Sequence, residues 1–170
     1  HDVDIANTGR QSQLLVESRS HIYCSERGGA TFAGSFYQAV DGDGGAMNLD
    51  HLEHSLRRNA SHLDNGLIAI ESSHNNAGGT TLPLEHMRAV QQMGQQFGVP
   101  VHLDGARMFN AAIALDVRPD EIAQYCDSVA VCLSKGLSAP VGALLVGSTE
   151  LIAKARAIRR MLGGQQRQAG

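Results

Sequence analysis

Short apolar runs alternate along the chain with segments in which apolar residues recur every three or four positions. The apolar runs predict five strands, at residues 14–16, 67–70, 101–103, 129–133 and 143–146. The periodic segments predict five helices, at residues 48–58, 84–97, 106–115, 119–125 and 150–162. Strands that alternate with helices indicate an α/β fold, with a mostly parallel sheet and helices on both faces.

Reactive or charged side chains follow the first four predicted strands, at the point where each strand ends. In order they are Ser20 and His21, Glu71 and His74, Asp104 and Arg107, and Ser134 and Lys135. Ligands of open α/β sheets bind outside the carboxyl ends of the strands. We therefore expect these groups to converge along one edge of one sheet and to form a binding site there.

The residue types at this edge fit pyridoxal phosphate. That cofactor needs a lysine amine for a Schiff base and a carboxylate against its pyridine nitrogen, which Lys135 and Asp104 can supply. His21 offers a flat ring to cover the cofactor face. Taken singly, each group also has an ordinary role: Lys135 as a surface lysine, Asp104 as a turn former and Arg107 in a surface ion pair. Spacing alone leaves both interpretations open.

Composition narrows the class of protein. The chain has 170 residues, of which 42% are hydrophobic and 18% charged, enough for one globular domain with a sizeable core. A net charge of −3 without a basic block argues against nucleic acid or an anionic membrane as partner. No apolar run approaches the roughly 20 residues of a spanning helix. Since no targeting signal is visible either, we expect a cytoplasmic location.

Metal chemistry is a weaker alternative. The chain has eight histidines, and His51 and His54 would share one face of a helix, but no HExxH motif is present. The three cysteines, Cys24, Cys126 and Cys132, have no CxxC spacing and are expected to be reduced thiols. We therefore predict no metal site, and a stoichiometric zinc ion found by elemental analysis would contradict that prediction.

Long motifs stand in the order and spacing of one enzyme family. Residues 102–107 read His-Leu-Asp-Gly-Ala-Arg, and residues 127–137 read Asp-Ser-Val-Ala-Val-Cys-Leu-Ser-Lys-Gly-Leu. Residues 20–23 and 71–75 add Ser-His-Ile-Tyr and Glu-Ser-Ser-His-Asn, and residues 161–170 add a glycine-rich segment. Across these motifs the chain resembles the low-specificity L-threonine aldolases, which are pyridoxal-phosphate enzymes of fold type I in the beta-eliminating lyase family.

The resemblance implies a partial chain. Residues 1–162 would form part of the large, cofactor-binding domain of the aspartate-aminotransferase-like fold, and residues 163–170 would begin the connection to a C-terminal domain. The family's phosphate-binding segment and most of its C-terminal domain have no counterpart in these motifs. A truncated, non-catalytic fragment of such an enzyme is therefore an alternative, as is a related pyridoxal-dependent lyase or racemase.

The resemblance also implies roles for individual residues. Those expected to bind the cofactor are Lys135, as the Schiff-base lysine, and Asp104, Arg107, His21, Glu71 and Ser134. Those expected to be catalytic are Lys135, His21, His62 and His74. Arg107 and Arg167 are expected to bind the amino acid substrate.

The implied reaction is cleavage of L-threonine or L-allo-threonine to glycine and acetaldehyde, a step of threonine catabolism and glycine biosynthesis. The group that accepts the proton of the β-hydroxyl stays open between His62, a bound water and the cofactor phosphate. Enzymes of this family form their sites between subunits, so the resemblance implies a homodimer or homotetramer.

Overall fold

The computed structural model describes residues 12–57 and 63–165. His62 and Arg167 lie outside the described residues, so their roles stay predictions. The strands are β1 (Ser12–Glu17), β2 (Phe36–Val40), β3 (Gly42–Asp43), β4 (Ala46–Met47), β5 (Asp64–Glu71), β6 (Val101–Asp104), β7 (Ser128–Cys132) and β8 (Ala143–Gly147).

Helices separate most of these strands. They are α1 (His21–Ser25), α2 (Arg27–Ala33), α3 (Leu49–Arg57), α4 (Leu84–Phe97), α5 (Met108–Leu115), α6 (Pro119–Ala123) and α7 (Thr149–Met161). A short 3-10 turn spans Asn75–Ala77. None of the helices in the described ranges combines the length and the apolar character that crossing a membrane requires.

Six of the strands form one sheet in the order β2-β1-β5-β6-β7-β8. The first five run parallel to one another, and β8 pairs antiparallel with β7. The hairpin of β3 and β4 stands apart from this sheet. The predicted mostly parallel α/β architecture is therefore confirmed, and the carboxyl ends of β1, β5, β6 and β7 lie along one edge.

Both faces of the sheet are covered, because successive strand residues point to opposite sides. Leu15 and Ile68 belong to the larger core, which α4 and α5 complete. Leu14 and Leu67, their neighbours in sequence, pack with Ile22 of α1 in a smaller core on the other face. Each fully buried side chain of this size contributes about 1.5–3 kcal/mol to folding, so both faces stabilise the central strands.

Most element boundaries follow from local signals. Helix α4 spans Leu84–Phe97 as predicted, and Gly98 ends it with the left-handed φ of 68° that glycine adopts without strain. Strand β2 and the β3–β4 hairpin were not predicted. Strand β2 has mostly exposed or half-buried residues and no long apolar run, so its pairing with β1 is what makes it a strand.

Candidate active site

An open cleft of about 260 Å³ lies at the carboxyl edge of the sheet. It is lined in part by His21, Glu71, Asp104 and Lys135, which follow or end four different strands. The order of strands in the sheet places β5 and β6 between β1 and β7. The four side chains therefore meet because of the parallel topology, although 114 residues separate the first from the last (135 − 21).

Two carboxylates stand side by side in the cleft, since Glu71 and Asp104 are register partners at the ends of β5 and β6. Glu71 is buried and accepts hydrogen bonds from the backbone N–H groups of His21 (2.7 Å) and Asn75 (2.8 Å). Burial and then the negative charge of Glu71 raise the pKa of Asp104 above its ordinary value, although the N–H of Ala106 and the Lys135 ammonium oppose this.

The charge of this carboxylate pair fits a cationic partner. Repulsion between two neighbouring carboxylates is relieved when a positive group lies against one of them. The protonated pyridine nitrogen of pyridoxal phosphate is such a group, and Lys135 lines the same cleft. The chemistry of these donors therefore fits the cofactor.

The raised pKa of Asp104 predicts how the stability of the cofactor-free protein depends on pH. The pKa of Asp104 is higher in the folded state than its ordinary value of 3.8, so the neutral carboxyl group stabilises the fold at pH values below 3.8. This stabilisation is lost as the pH rises through the pKa of the folded state. Asp104→Asn, which stays neutral, should therefore melt at a higher temperature than wild type near pH 7.

Thermal denaturation of both cofactor-free proteins, from about one pH unit below the ordinary aspartate pKa to about four units above it, measures this effect. The difference in melting temperature should shrink toward zero at the acid end, where the wild-type carboxyl group is also neutral. A constant difference at every pH would show that charge on Asp104 is not the cause.

Lys135 lies in the exposed loop that follows β7, with its side chain along the cleft. The neighbouring Ser134 hydroxyl is 3.1 Å from the Cys132 thiol, and this hydrogen bond lowers the pKa of the thiol. Ser134 is exposed and does not line the cleft. The predicted cofactor contact of Ser134 stays a prediction.

His21 begins α1, and its ring is half-buried in the wall of the cleft. Its Nε2 atom lies 3.4 Å from Oε1 of Glu26. The Nδ1 atom is buried and has no hydrogen-bond partner within residues 12–57 and 63–165. The ring therefore lies where a planar ligand could stack, with Glu26 fixing one of its edges.

Arg107 and His74 lie beside the cleft without lining it. A terminal nitrogen of Arg107 donates to Oδ1 of Asn75 at 3.2 Å. His74 is fully buried, and its Nε2 atom lies 3.0 Å from Oε2 of Glu17. Its predicted catalytic role stays a prediction, while its burial favours a role through neighbouring residues.

Glu17 and His102 were not among the predicted site residues. Glu17 ends β1 as Glu71 ends β5, so its place after a strand was a signal in the sequence. His102 is buried in β6, and its Nδ1 atom lies 2.8 Å from the Ser128 hydroxyl. Burial lowers the pKa of His102 to about 3, so this ring stays neutral at physiological pH and contributes hydrogen bonding rather than charge.

Comparisons with known proteins agree with this architecture. The sequence profile described as beta-eliminating lyase matches residues 5–170. A low-specificity L-threonine aldolase of Arabidopsis thaliana is 39% identical over 95% of this chain and 46% of its own length. The low specificity L-threonine aldolase of Escherichia coli K12 is 37% identical over 98% of this chain and 50% of its own length. The chain thus spans about half the length of these relatives.

Solved structures share the fold at lower identity. The threonine aldolase of Leishmania major superposes with a TM-score of 0.80 at 19% identity, covering 95% of this chain and 48% of that structure. The aspartate aminotransferase of Thermus thermophilus superposes with a TM-score of 0.73 at 13% identity, covering 95% and 42%. The predicted aspartate-aminotransferase-like fold is therefore confirmed.

Proposed function

Because this chain belongs to the beta-eliminating lyase family, we propose that it is the cofactor-binding core of a pyridoxal-phosphate-dependent threonine aldolase. The reaction would cleave the Cα–Cβ bond of L-threonine or L-allo-threonine and release glycine and acetaldehyde. The observation that carries the proposal is the meeting of Lys135, Asp104, His21 and Glu71 in one cleft. Relatives named as low-specificity L-threonine aldolases support the choice of reaction.

Three residues would hold the cofactor, and a fourth would contact either the cofactor or the substrate. The Lys135 amine would bind it covalently, the Asp104 carboxylate would pair with the ring nitrogen, and the His21 imidazole would stack on the ring. Arg107, at the start of α5, would reach the cofactor or the substrate carboxylate through its guanidinium. When bound, pyridoxal phosphate supplies an electron-poor ring that accepts the electron pair left at Cα.

The protein groups would then control charge and protons. The Asp104 carboxylate would hold the proton on the ring nitrogen, and the neighbouring negative charge of Glu71 would strengthen that pairing. The Lys135 amine would carry the proton that Cα receives after cleavage. His62, a bound water and the cofactor phosphate are the groups proposed to take the proton of the β-hydroxyl, and Arg167 is proposed to bind the substrate carboxylate.

The test is an absorbance spectrum of the protein with added pyridoxal phosphate, before and after borohydride reduction. We expect a Schiff-base band that reduction makes permanent, and peptide mapping should then find the pyridoxyl group on Lys135. Released acetaldehyde, measured with L-threonine and with L-allo-threonine, tests the reaction. Attachment to other lysines in proportion to their exposure would contradict the proposed site.

We also infer that the protein forms a homodimer or a larger homo-oligomer. Leu144 and Val146 of β8 are 53% and 56% exposed, and Leu137 and Val141 before this strand are each 45% exposed. These exposed apolar side chains lie on or just before β8, the edge strand of the sheet, and self-association commonly covers exposed apolar side chains. Light scattering should give a mass of at least twice the chain mass.

Replacing Leu144 by glutamate should lower that mass, because a charge would be buried without a partner at the subunit contact. Ala153→Glu, on the exposed side of α7, is the matched control and should keep the wild-type mass. A wild-type protein that stays monomeric at every concentration would overturn the inference.

A further inference from the structure

Two loops at the edge of the sheet are tied together by reciprocal hydrogen bonds. One loop follows β1 and the other follows β5. The Arg19 guanidinium donates to the Asn76 carbonyl at 2.8 Å, and the Asn76 amide donates to the Arg19 carbonyl at 2.8 Å. The Glu71 carboxylate adds a third link by accepting the N–H of His21. The position of His21 in the cleft therefore depends on the loop that follows β5.

A buried carboxylate–imidazole pair lies beneath these links. The Glu17 side chain is 2% exposed and the His74 side chain 0% exposed, and Oε2 of Glu17 is 3.0 Å from Nε2 of His74. Nδ1 of His74 accepts the N–H of Ala77 at 3.2 Å, so the ring proton is on Nε2 and is donated to Glu17. Glu17 also accepts the N–H of Arg19 at 2.7 Å.

The β3–β4 hairpin closes over this pair. A Cβ atom placed on Gly42 would lie 2.7 Å from Cγ of Glu17, and one placed on Gly45 would lie 2.6 Å from Cγ of His74. Both separations are shorter than real contacts, so the hairpin backbone packs directly on the pair. A carboxylate enclosed in this way needs its donors, because water cannot replace them.

The loop that the pair holds carries a further contact. Asn75 follows His74, its N–H donates to Glu71 at 2.8 Å, and its side chain accepts from Arg107 at 3.2 Å. Contacts therefore run without a break from Glu17 through His74 and Asn75 to Arg107. Glu17 ends β1 and Arg107 follows β6, so the series connects two strand ends at the same edge of the sheet.

We propose that the buried Glu17–His74 pair is a positioning unit for the cleft. By fixing the loop after β5, it lets Glu71 hold the backbone of His21 and lets Asn75 hold the guanidinium of Arg107. This inference rests on the proposed function, because His21 and Arg107 are the groups that would contact cofactor and substrate. If the pair only stabilised the core, substituting it would lower the melting temperature and leave the affinity for the ligand unchanged.

The test compares two substitutions of one residue. His74→Asn keeps an acceptor near the Nδ1 position and removes the donor to Glu17, whereas His74→Gln keeps a donor near the Nε2 position. We expect His74→Asn to raise the dissociation constant of pyridoxal phosphate about tenfold, as the loss of a partner that orients a ligand-contacting group does in metal sites. His74→Gln should stay within about threefold of wild type, so that the conservative variant rescues binding.

Asn75→Ala removes the other end of the series without touching the core, since Asn75 is exposed. It should raise the same dissociation constant and leave the melting temperature unchanged. Combined with His74→Asn it should add little, because both substitutions break one series of contacts. Fully additive effects, or an unchanged dissociation constant in folded His74→Asn, would reduce the pair to a core contact and overturn the proposal.

Amide hydrogen exchange in the cofactor-free protein supplies a second measurement that does not depend on binding. Faster exchange confined to His21 and Asn75 in His74→Asn, and absent in His74→Gln, supports the positioning unit. Exchange that rises evenly through the sheet overturns it. A wild-type protein that binds no pyridoxal phosphate would defeat the proposed function, and this exchange pattern would still decide the inference.

Discussion

Lys135→Ala is expected to abolish covalent attachment of pyridoxal phosphate and to lower threonine cleavage by more than about 10³-fold. Proton transfer by a positioned group alone contributes about 10²–10⁴-fold, and this substitution removes both that group and the covalent anchor. The side chain is exposed in the loop after β7, so the fold should survive. Borohydride labelling, activity and circular dichroism of the variant measure these three effects.

Lys154→Ala is the matched control for this variant. Lys154 lies on α7, where its ammonium pairs with Glu150 at 2.8 Å on an exposed surface. Removing that pair should cost little stability, because exposed ion pairs contribute about 0–1 kcal/mol. Lys154→Ala should be labelled after borohydride reduction and should cleave threonine as the wild type does. A wild-type absorbance spectrum in Lys135→Ala would disprove the assignment of Lys135 as the Schiff-base lysine.

Asp104→Asn is expected to keep the cofactor and lose turnover by about 10²–10³-fold. The neutral amide can still contact the ring nitrogen, but it cannot hold the proton there. Breaking a buried charge pair typically costs about 3–5 kcal/mol, and each 1.36 kcal/mol in a barrier is tenfold in rate. Cofactor content and the rate of acetaldehyde release at saturating substrate separate binding from turnover.

The matched control is Asp116→Asn, at an exposed position whose φ of 54° asparagine also tolerates. It should leave cofactor content, turnover and stability near wild-type values. Near-normal turnover in Asp104→Asn would place the partner of the ring nitrogen elsewhere. If Asp104→Asn melts at a higher temperature than wild type and also loses turnover, Asp104 is a residue kept for function at the expense of stability.

Several features of this protein were determined by the sequence alone. The apolar runs and the helical period predicted five of the six strands of the sheet and five of the seven helices within the described residues, all except α1 and α2. Such patterns act locally, because burying one face of an element sets the spacing of its apolar residues. The strand ends also predicted His21, Glu71, Asp104 and Lys135 as one cluster, since parallel strands bring their carboxyl ends together.

Other features were decided only by the tertiary structure. Strand β2 forms through its pairing with β1, and the β3–β4 hairpin is positioned by its packing on Glu17 and His74. The burial of His74 could not be predicted, because its partner Glu17 is 57 residues away in sequence. Register between β5 and β6 sets Glu71 against Asp104. Sequence patterns specify which groups lie at the edge, whereas long-range pairing and packing decide which of them touch the cleft and which act from behind it.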